Sequence, residues 1–240
     1  MCAAVADPVC KTASPPEPPE RKTMTSDTDR TEGLALIRGF MPVSRETEAR
    51  LDNYVDELKK WSKSRNLVGP ETLSSLWTRH VADSAQAVDC LPDATRWMDL
   101  GSGAGLPGLV IACLIADKTD ARVDLVESNG GKCAFLRAAA RATGAPARVH
   151  NKRLEAVISD WSEPLDVVTA RALAPLEKLL GMTAPLIAKG VIAVFHKGQD
   201  IDSELTQAST CWRFNHRLVP SRTRPGSALV IIDDCERKSA

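Results

Sequence analysis

Asp99-Leu100-Gly101-Ser102-Gly103-Ala104-Gly105-Leu106-Pro107-Gly108 joins the apolar run Trp97–Leu100 to a second apolar run from Leu109 to Ile115. A run that stops at four glycines in eight positions and resumes with helical character reads as strand, tight turn and helix. Such a turn brings backbone N–H groups and a helix N-terminus up to a ligand. Glycine suits it because it accepts positive φ and has no side chain to hold the ligand away. The spacing fits two ligands. Gly103-Ala104-Gly105-Leu106-Pro107-Gly108 has the G-x-G-x-x-G form of dinucleotide sites. Gly101-Ser102-Gly103-Ala104-Gly105 has the G-x-G-x-G form of the turn in methyltransferases that use S-adenosylmethionine.

Outward from this turn, β-branched or apolar runs recur at Arg96–Leu100, Arg122–Val126, Ala147–His150, Leu165–Thr169 and Gly190–His196, with helical stretches between them. That alternation predicts a parallel sheet with helices on both faces. Trp212–Val219 and Ala228–Ile232 flank the turn-rich Pro220–Gly226 and predict a hairpin closing one edge. Seven strands ending in a hairpin favour an α/β, Rossmann-like class I S-adenosylmethionine-dependent methyltransferase fold over the six-stranded dinucleotide fold. Its sheet is seven-stranded and mainly parallel, with a small helical cap in front. Leu51, Tyr54, Val55, Leu58 and Trp61 form one face of a helix capped by Ser44, and a second helical stretch starts near Glu71. The expected divisions are a proline-rich disordered tail over residues 1–30, the cap over 31–93 and the methyltransferase domain over 94–240. Met24 is a candidate true start.

Composition narrows the class. Lys+Arg and Asp+Glu are equal at 31 each, so no global basic field announces nucleic acid, although a local patch suffices. Seven scattered cysteines without a C-x-x-C suggest reduced thiols and no zinc site. No apolar run approaches the ~20 residues needed to cross a bilayer, and the first residues lack a signal-peptide pattern. The expectation is a cytoplasmic protein with no membrane and no metal.

Ligands in open α/β sheets bind at the carboxyl ends of the strands. Glu127, 19 residues beyond Gly108, ends the second strand, where a carboxylate accepts both hydroxyls of an adenosine ribose. Asp99 either lies near a cofactor's amino-acid end or ties down the turn. Leu154-Glu155 follows the third strand, where a loop can hold adenine. Arg171 ends the fourth strand, either as a surface charge or as a group that binds phosphate or orients a base.

The set Trp61…Asn66-Leu67, Arg79-His80-x-x-Asp83-Ser84, Asp99-x-Gly101-x-Gly103-x-Gly105-x-Pro107-Gly108, Leu154-Glu155, Arg171-Ala172 and Lys197-Gly198-Gln199 resembles the RsmG (GidB) family over about residues 40 to 233. That family methylates a guanine N7 in small-subunit ribosomal RNA. The resemblance implies S-adenosyl-L-methionine as cofactor, with Gly101, Leu106, Leu154, Glu155 and Arg171 touching it and Glu127 as the acidic residue after the second strand. Asp99, Gly103 and Gly105 complete the expected cofactor set. One departure stands at Ser227, where members carry an arginine before the last strand; Arg222 or Arg224 is the candidate to reach that space.

Guanine N7 is a neutral lone pair on the major-groove edge, so its methylation needs no base, and none of these residues is expected to be catalytic beyond Arg171 as an orienting group. His80 either lines the substrate mouth or bonds Asp83 within the cap. Candidate RNA contacts are Arg79, His80, Arg171, Lys197, Arg222 and Arg224, with Lys59, Lys60, Lys63 and Arg65 around the cap. Ten aromatic residues are few for a single-strand stacking platform, so folded 16S ribosomal RNA or the assembled 30S subunit is the expected partner, met by a monomer. The rival readings are an NAD-dependent oxidoreductase and a non-catalytic ribosome-binding protein.

Overall fold

The computed structural model describes residues 26–239; the proline-rich segment and the candidate start at Met24 lie outside the described residues. Helix α1 spans Ser26–Arg38, so residues 26–30, which composition assigns to the tail, are ordered. Their order comes from tertiary contacts. Asp29 is 2% exposed, and its carboxylate accepts the backbone N–H of Trp77 at 2.9 Å and of Thr78 at 3.1 Å. Arg30 bridges Glu48 and Asp52 on the next helix.

Helix α2 (Arg45–Ser62) begins at Ser44, whose hydroxyl accepts the Thr47 N–H at 3.0 Å, the expected cap. It buries Leu51, Tyr54, Val55 and Leu58. The second helical stretch is not one helix. A 3-10 turn (Pro70–Ser75) leads into a widened π turn (Trp77–Val81), and α3 runs from Ala82 to Cys90. Asp29 takes two N–H groups at the start of the π turn, and a Cβ on Gly33 would stand 2.6 Å from the Trp77 Cβ. These contacts from α1 hold the irregular turn, and no periodicity in the segment itself reports them.

The sheet follows the order β3-β2-β1-β4-β5-β7-β6. Its strands are β1 (Arg96–Leu100), β2 (Arg122–Val126), β3 (Ala147–His150), β4 (Val167–Arg171), β5 (Ile192–Lys197), β6 (Trp212–Pro220) and β7 (Ala228–Arg237). The first five are parallel, and β7 is antiparallel to both β5 and β6. β4 starts two residues later than its apolar run, and the Asp166 carboxylate just before it accepts the N–H groups of Thr95 and Arg96. β7 runs past its apolar stretch to Arg237, carried by pairing with β6 as far as Trp212.

Helices α4 (Gly108–Ile115) and α5 (Gly130–Thr143) pack on one face with the cap in a single apolar cluster that joins Leu51, Tyr54 and Trp77 to Leu109, Trp97 and Phe135. Helices α6 (Leu154–Ser159), α7 (Leu176–Ile187) and α8 (Ile201–Cys211) cover the other face. The cap therefore shares the core of the sheet domain, and α2 lies directly over the turn that precedes α4. Cys113 and Cys133 are buried free thiols, with burial pushing the Cys113 thiol up to about 12. Among the described residues no helix is long and apolar enough to cross a membrane, and no cluster of side chains could hold a metal ion.

Candidate active site

Gly101, Gly103 and Gly105 have φ of 67°, 53° and 81°, the left-handed conformation that glycine alone adopts cheaply. A Cβ on Gly101 would stand 2.7 Å from Leu173 Cδ1, and one on Gly105 would stand 2.6 Å from Leu109 Cδ1. The turn is braced from several directions. The Ser102 hydroxyl donates to the Asp99 carbonyl at 3.1 Å, and the Ser102 N–H donates to the Val126 carbonyl at 3.1 Å. From the cap, the fully buried Tyr54 hydroxyl donates to the Ala104 carbonyl at 2.8 Å. Helical periodicity placed Tyr54 on an apolar face but gave no sign that its hydroxyl holds the turn.

Glu127 follows β2, with Oε2 accepting the Gly103 N–H at 3.0 Å and Oε1 accepting the Asn129 N–H at 2.8 Å. The carboxylate thus locks the glycine turn to the β2 end, and each oxygen keeps a second lone pair for a ribose hydroxyl. Leu106 is half-buried against the cap-side core. Leu154 packs against the opposite core, and Glu155 is exposed in the first turn of α6.

Asp99 is fully buried at the end of β1. Its Oδ2 accepts the Gly108 N–H at 3.2 Å, which ties strand to helix, while Oδ1 has no partner. Burial pushes its carboxyl up to about 7, against the opposing hydrogen bonds. A cofactor bearing an ammonium group would satisfy this carboxylate, so the cradle of glycines, Glu127 and the orphaned Asp99 oxygen fits an adenosyl amino acid. Because the folded state raises this pKa above the usual 3.8, Asp99 opposes folding increasingly as pH rises from about 4 to about 7. Asp99→Asn keeps an acceptor for Gly108 and removes the buried charge. Its melting temperature is expected to equal or exceed wild type at pH 8, while its affinity for S-adenosylmethionine falls about tenfold or more. Denaturation and calorimetry at pH 8 check both; a destabilised variant with unchanged affinity would contradict the assignment.

A second group of side chains meets beside this crevice, where β4, β5, the cap and the β6–β7 hairpin converge. Arg171 Nη2 donates to His80 Nδ1 at 2.5 Å, and Arg171 Nη1 lies 3.4 Å from both Asp83 Oδ2 and Ser84 Oγ. Burial and the Arg171 charge lower the His80 imidazole to about 4, so the ring is neutral at physiological pH. His80 therefore bonds Arg171, and the sequence alternative of a cap-internal bond to Asp83 is not what the structure contains. Asp83 Oδ2 lies 3.5 Å from His196 Nδ1, and Asp83 Oδ1 accepts the hydroxyls of Thr223 at 2.9 Å and Ser221 at 3.2 Å. Burial favours the neutral acid, but the His196 hydrogen bond, the His196 and Arg171 charges and the Thr223 hydroxyl outweigh it, holding the Asp83 carboxyl well below the usual range.

Arg171, His80, Asp83, His196, Ser221 and Thr223 line a cavity of about 320 Å³, which Arg79, Arg224 and Ser227 share. Lys197 also borders it, but its ammonium is 2.5 Å from Glu204 and donates to the Ala174 carbonyl at 2.9 Å. Arg222 turns away to the cap, 2.9 Å from Asp89 and stacked over the Phe40 ring. Of the expected RNA-facing cations, the structure brings Arg79, Arg171 and Arg224 together and commits Lys197 and Arg222 to protein partners. His196 was missed. Its place at the carboxyl end of β5, beside Arg171 in register, was the available signal.

Residues 47–225 match a family model described as GidB, rRNA small subunit methyltransferase G. Relatives named ribosomal RNA small subunit methyltransferase G include one from Bradyrhizobium sp. (strain ORS 278), 49% identical over 88% of this chain and 93% of the relative. Another, from Methylobacterium radiotolerans, is 51% identical over 85% of this chain and 94% of the relative. Among solved structures, a putative O-methyltransferase from Klebsiella pneumoniae superimposes with a TM-score of 0.52 at 10% identity, covering 84% of this chain and 96% of that one. A complex of MtNAS with S-adenosylmethionine gives 0.50 at 14% identity, covering 86% and 76%. At such identities the likeness extends to the fold, and it is the fold that the seven-strand pattern predicted.

Proposed function

The chain belongs to the GidB family, rRNA small subunit methyltransferase G, and we propose that it transfers a methyl group from S-adenosylmethionine to N7 of one guanine in the 16S RNA of the small ribosomal subunit. The observation that carries the cofactor half is the glycine turn locked to Glu127 beside a buried carboxylate with a free oxygen. In this reading Asp99 faces the cofactor's ammonium and Glu127 its ribose. Gly101, Gly103, Gly105 and Leu106 line its path, Leu154 and Glu155 flank the adenine, and Arg171 closes the crevice toward the acceptor.

The bound cofactor supplies an electrophilic sulfonium methyl. Transfer of that methyl to the N7 lone pair would exchange the S–C bond for an N7–C bond, leaving S-adenosylhomocysteine and a cationic N7-methylguanine. No proton moves, and the site fits that demand: His80 is neutral, and its Nδ1 lone pair is taken up by Arg171. The protein's work is to exclude water and align N7, which can supply about 7–11 kcal/mol in favourable cases. Arg79 and Arg224 at the cavity mouth meet RNA phosphates, so affinity falls with salt. The substrate is folded RNA within the small subunit, in the cytoplasm, engaged by a monomer without a metal.

Calorimetry tests the cofactor assignment against the dinucleotide register of the same glycines. Micromolar binding of S-adenosylhomocysteine with no heat from NADH is expected. Binding of NADH alone would overturn it.

A further inference from the structure

Tyr54 is a polar side chain in an apolar place. Its ring lies in the cluster that joins the cap to the sheet, beside Leu51, Val55 and Leu58 of the same helix. A phenylalanine would fill that volume with no hydroxyl to satisfy. The hydroxyl has a specific partner, the Ala104 carbonyl at 2.8 Å, in the middle of the glycine turn. The other end of that peptide unit, the Gly105 N–H, donates to the Ser102 carbonyl at 2.6 Å. Gly105, at φ 81°, gives this peptide a freedom of rotation that other residues lack. Two bonds remove it, one from within the turn and one from α2. Ser102 and Glu127 hold the turn from the sheet domain, whereas Tyr54 reaches it from the cap. Burial keeps the phenol protonated well above its usual 10, so it is a donor at every working pH. The Arg171 and Asp99 charges act on it in opposite directions, which places it between the acceptor and ammonium ends of the crevice.

We propose that Tyr54 is a positioning residue for the cofactor: its hydroxyl fixes the Ala104–Gly105 peptide in the orientation that S-adenosylmethionine binds, and through it the cap sets cofactor affinity. The inference rests on the cofactor reading above and deepens it. Without the hydroxyl the buried Ala104 carbonyl is left unpaired, and the free protein relieves that by rotating the peptide about Gly105. The cofactor must then restore the cradle as it binds, so the loss falls on affinity as well as on stability. Linkage makes the effect reciprocal. If detaching Tyr54 weakens cofactor binding by some factor, bound cofactor makes that detachment rarer by the same factor. The cap is thus part of the cofactor site although Tyr54 itself touches no cofactor atom.

The test compares two variants that each remove one buried hydroxyl donating to a backbone carbonyl. Tyr54→Phe removes the bond to the turn; Thr183→Val removes one to the Leu179 carbonyl at 2.8 Å within α7, on the other face of the sheet. Calorimetry with S-adenosylhomocysteine is run well below both melting temperatures. The Kd is expected to rise about 10-fold or more for Tyr54→Phe and to stay within about twofold of wild type for Thr183→Val. With small subunits as substrate, the KM for S-adenosylmethionine should rise by the same factor for Tyr54→Phe, while kcat at saturating cofactor stays within about threefold. A Tyr54→Phe Kd within about twofold of wild type, an equal loss in Thr183→Val, or a loss confined to kcat would overturn the proposal. Should Tyr54→Phe fail to fold, hydrogen exchange of the wild-type protein decides. Saturating S-adenosylhomocysteine is expected to slow exchange across α2 by about tenfold or more, and unchanged exchange there would overturn the proposal. Wild type that binds no S-adenosylhomocysteine defeats the cofactor reading itself, a result distinct from each of the others.

Discussion

Gly101→Asp is expected to weaken S-adenosylmethionine binding by about 100-fold or more and to reduce methyl transfer to background. Three effects act together. A non-glycine residue at φ 67° costs about 1–2 kcal/mol. Its Cβ would stand 2.7 Å from Leu173 Cδ1, so the Leu173 side chain, two residues beyond Arg171 at the end of β4, must shift. The new carboxylate also adds a negative charge close to Asp99, whose buried carboxyl already titrates near 7, and so favours the protonated form that cannot pair with an ammonium group. Calorimetry with S-adenosylhomocysteine measures the affinity directly. A variant that binds within about threefold of wild type would show that the turn is structural scaffolding and not a ligand cradle.

Asp83→Ala carries the largest expected stability loss, about 3–5 kcal/mol, which is the usual consequence of removing one partner from a buried ionic network. The carboxylate joins four parts of the chain: α3 on which it sits, Arg171 of β4, His196 of β5, and Ser221 with Thr223 in the hairpin turn. Its loss leaves the Arg171 guanidinium half-buried without its counter-ion. For a domain of this size the melting temperature is expected to drop by roughly 10 °C. The pH dependence follows from the direction of the shift. The folded state holds Asp83 below its usual 3.8, so its contribution is present above about pH 4 and fades as pH falls further. The gap between wild type and variant should therefore be full at pH 7 and narrow below pH 4. A constant gap across that range would assign the loss to packing instead.

Much of the architecture was legible because local pattern and tertiary fold agree. β1, β2 and β3 coincide with their apolar runs, the Ser44 cap is where the side chain placed it, and the hairpin closes the sheet edge as its turn residues foretold. Readings failed where a distant contact overrides local preference. The Asp29 carboxylate takes the N–H groups of Trp77 and Thr78 at the widened turn from nearly fifty residues away. The glycine turn and its tie to Glu127 were readable because positive-φ glycine and an acidic strand end are chemically specific. The acceptor side was less so. Lys197 and Arg222 looked like RNA contacts by type alone, yet Glu204, Asp89 and Phe40 engage them. Tyr54 gave no sign because its role depends on which neighbour meets its hydroxyl, and His196 offered only its place at the carboxyl end of β5 beside Arg171. Ser227 gains meaning only in space: its hydroxyl is buried in the same cavity wall without a partner.

The most direct measurement deletes the gene and maps N7-methylguanosine in the cell's 16S RNA by borohydride and aniline cleavage. One cleavage site is expected to vanish on deletion, to return with the wild-type chain and to stay absent with Gly101→Asp. An unchanged cleavage pattern after deletion would contradict the account.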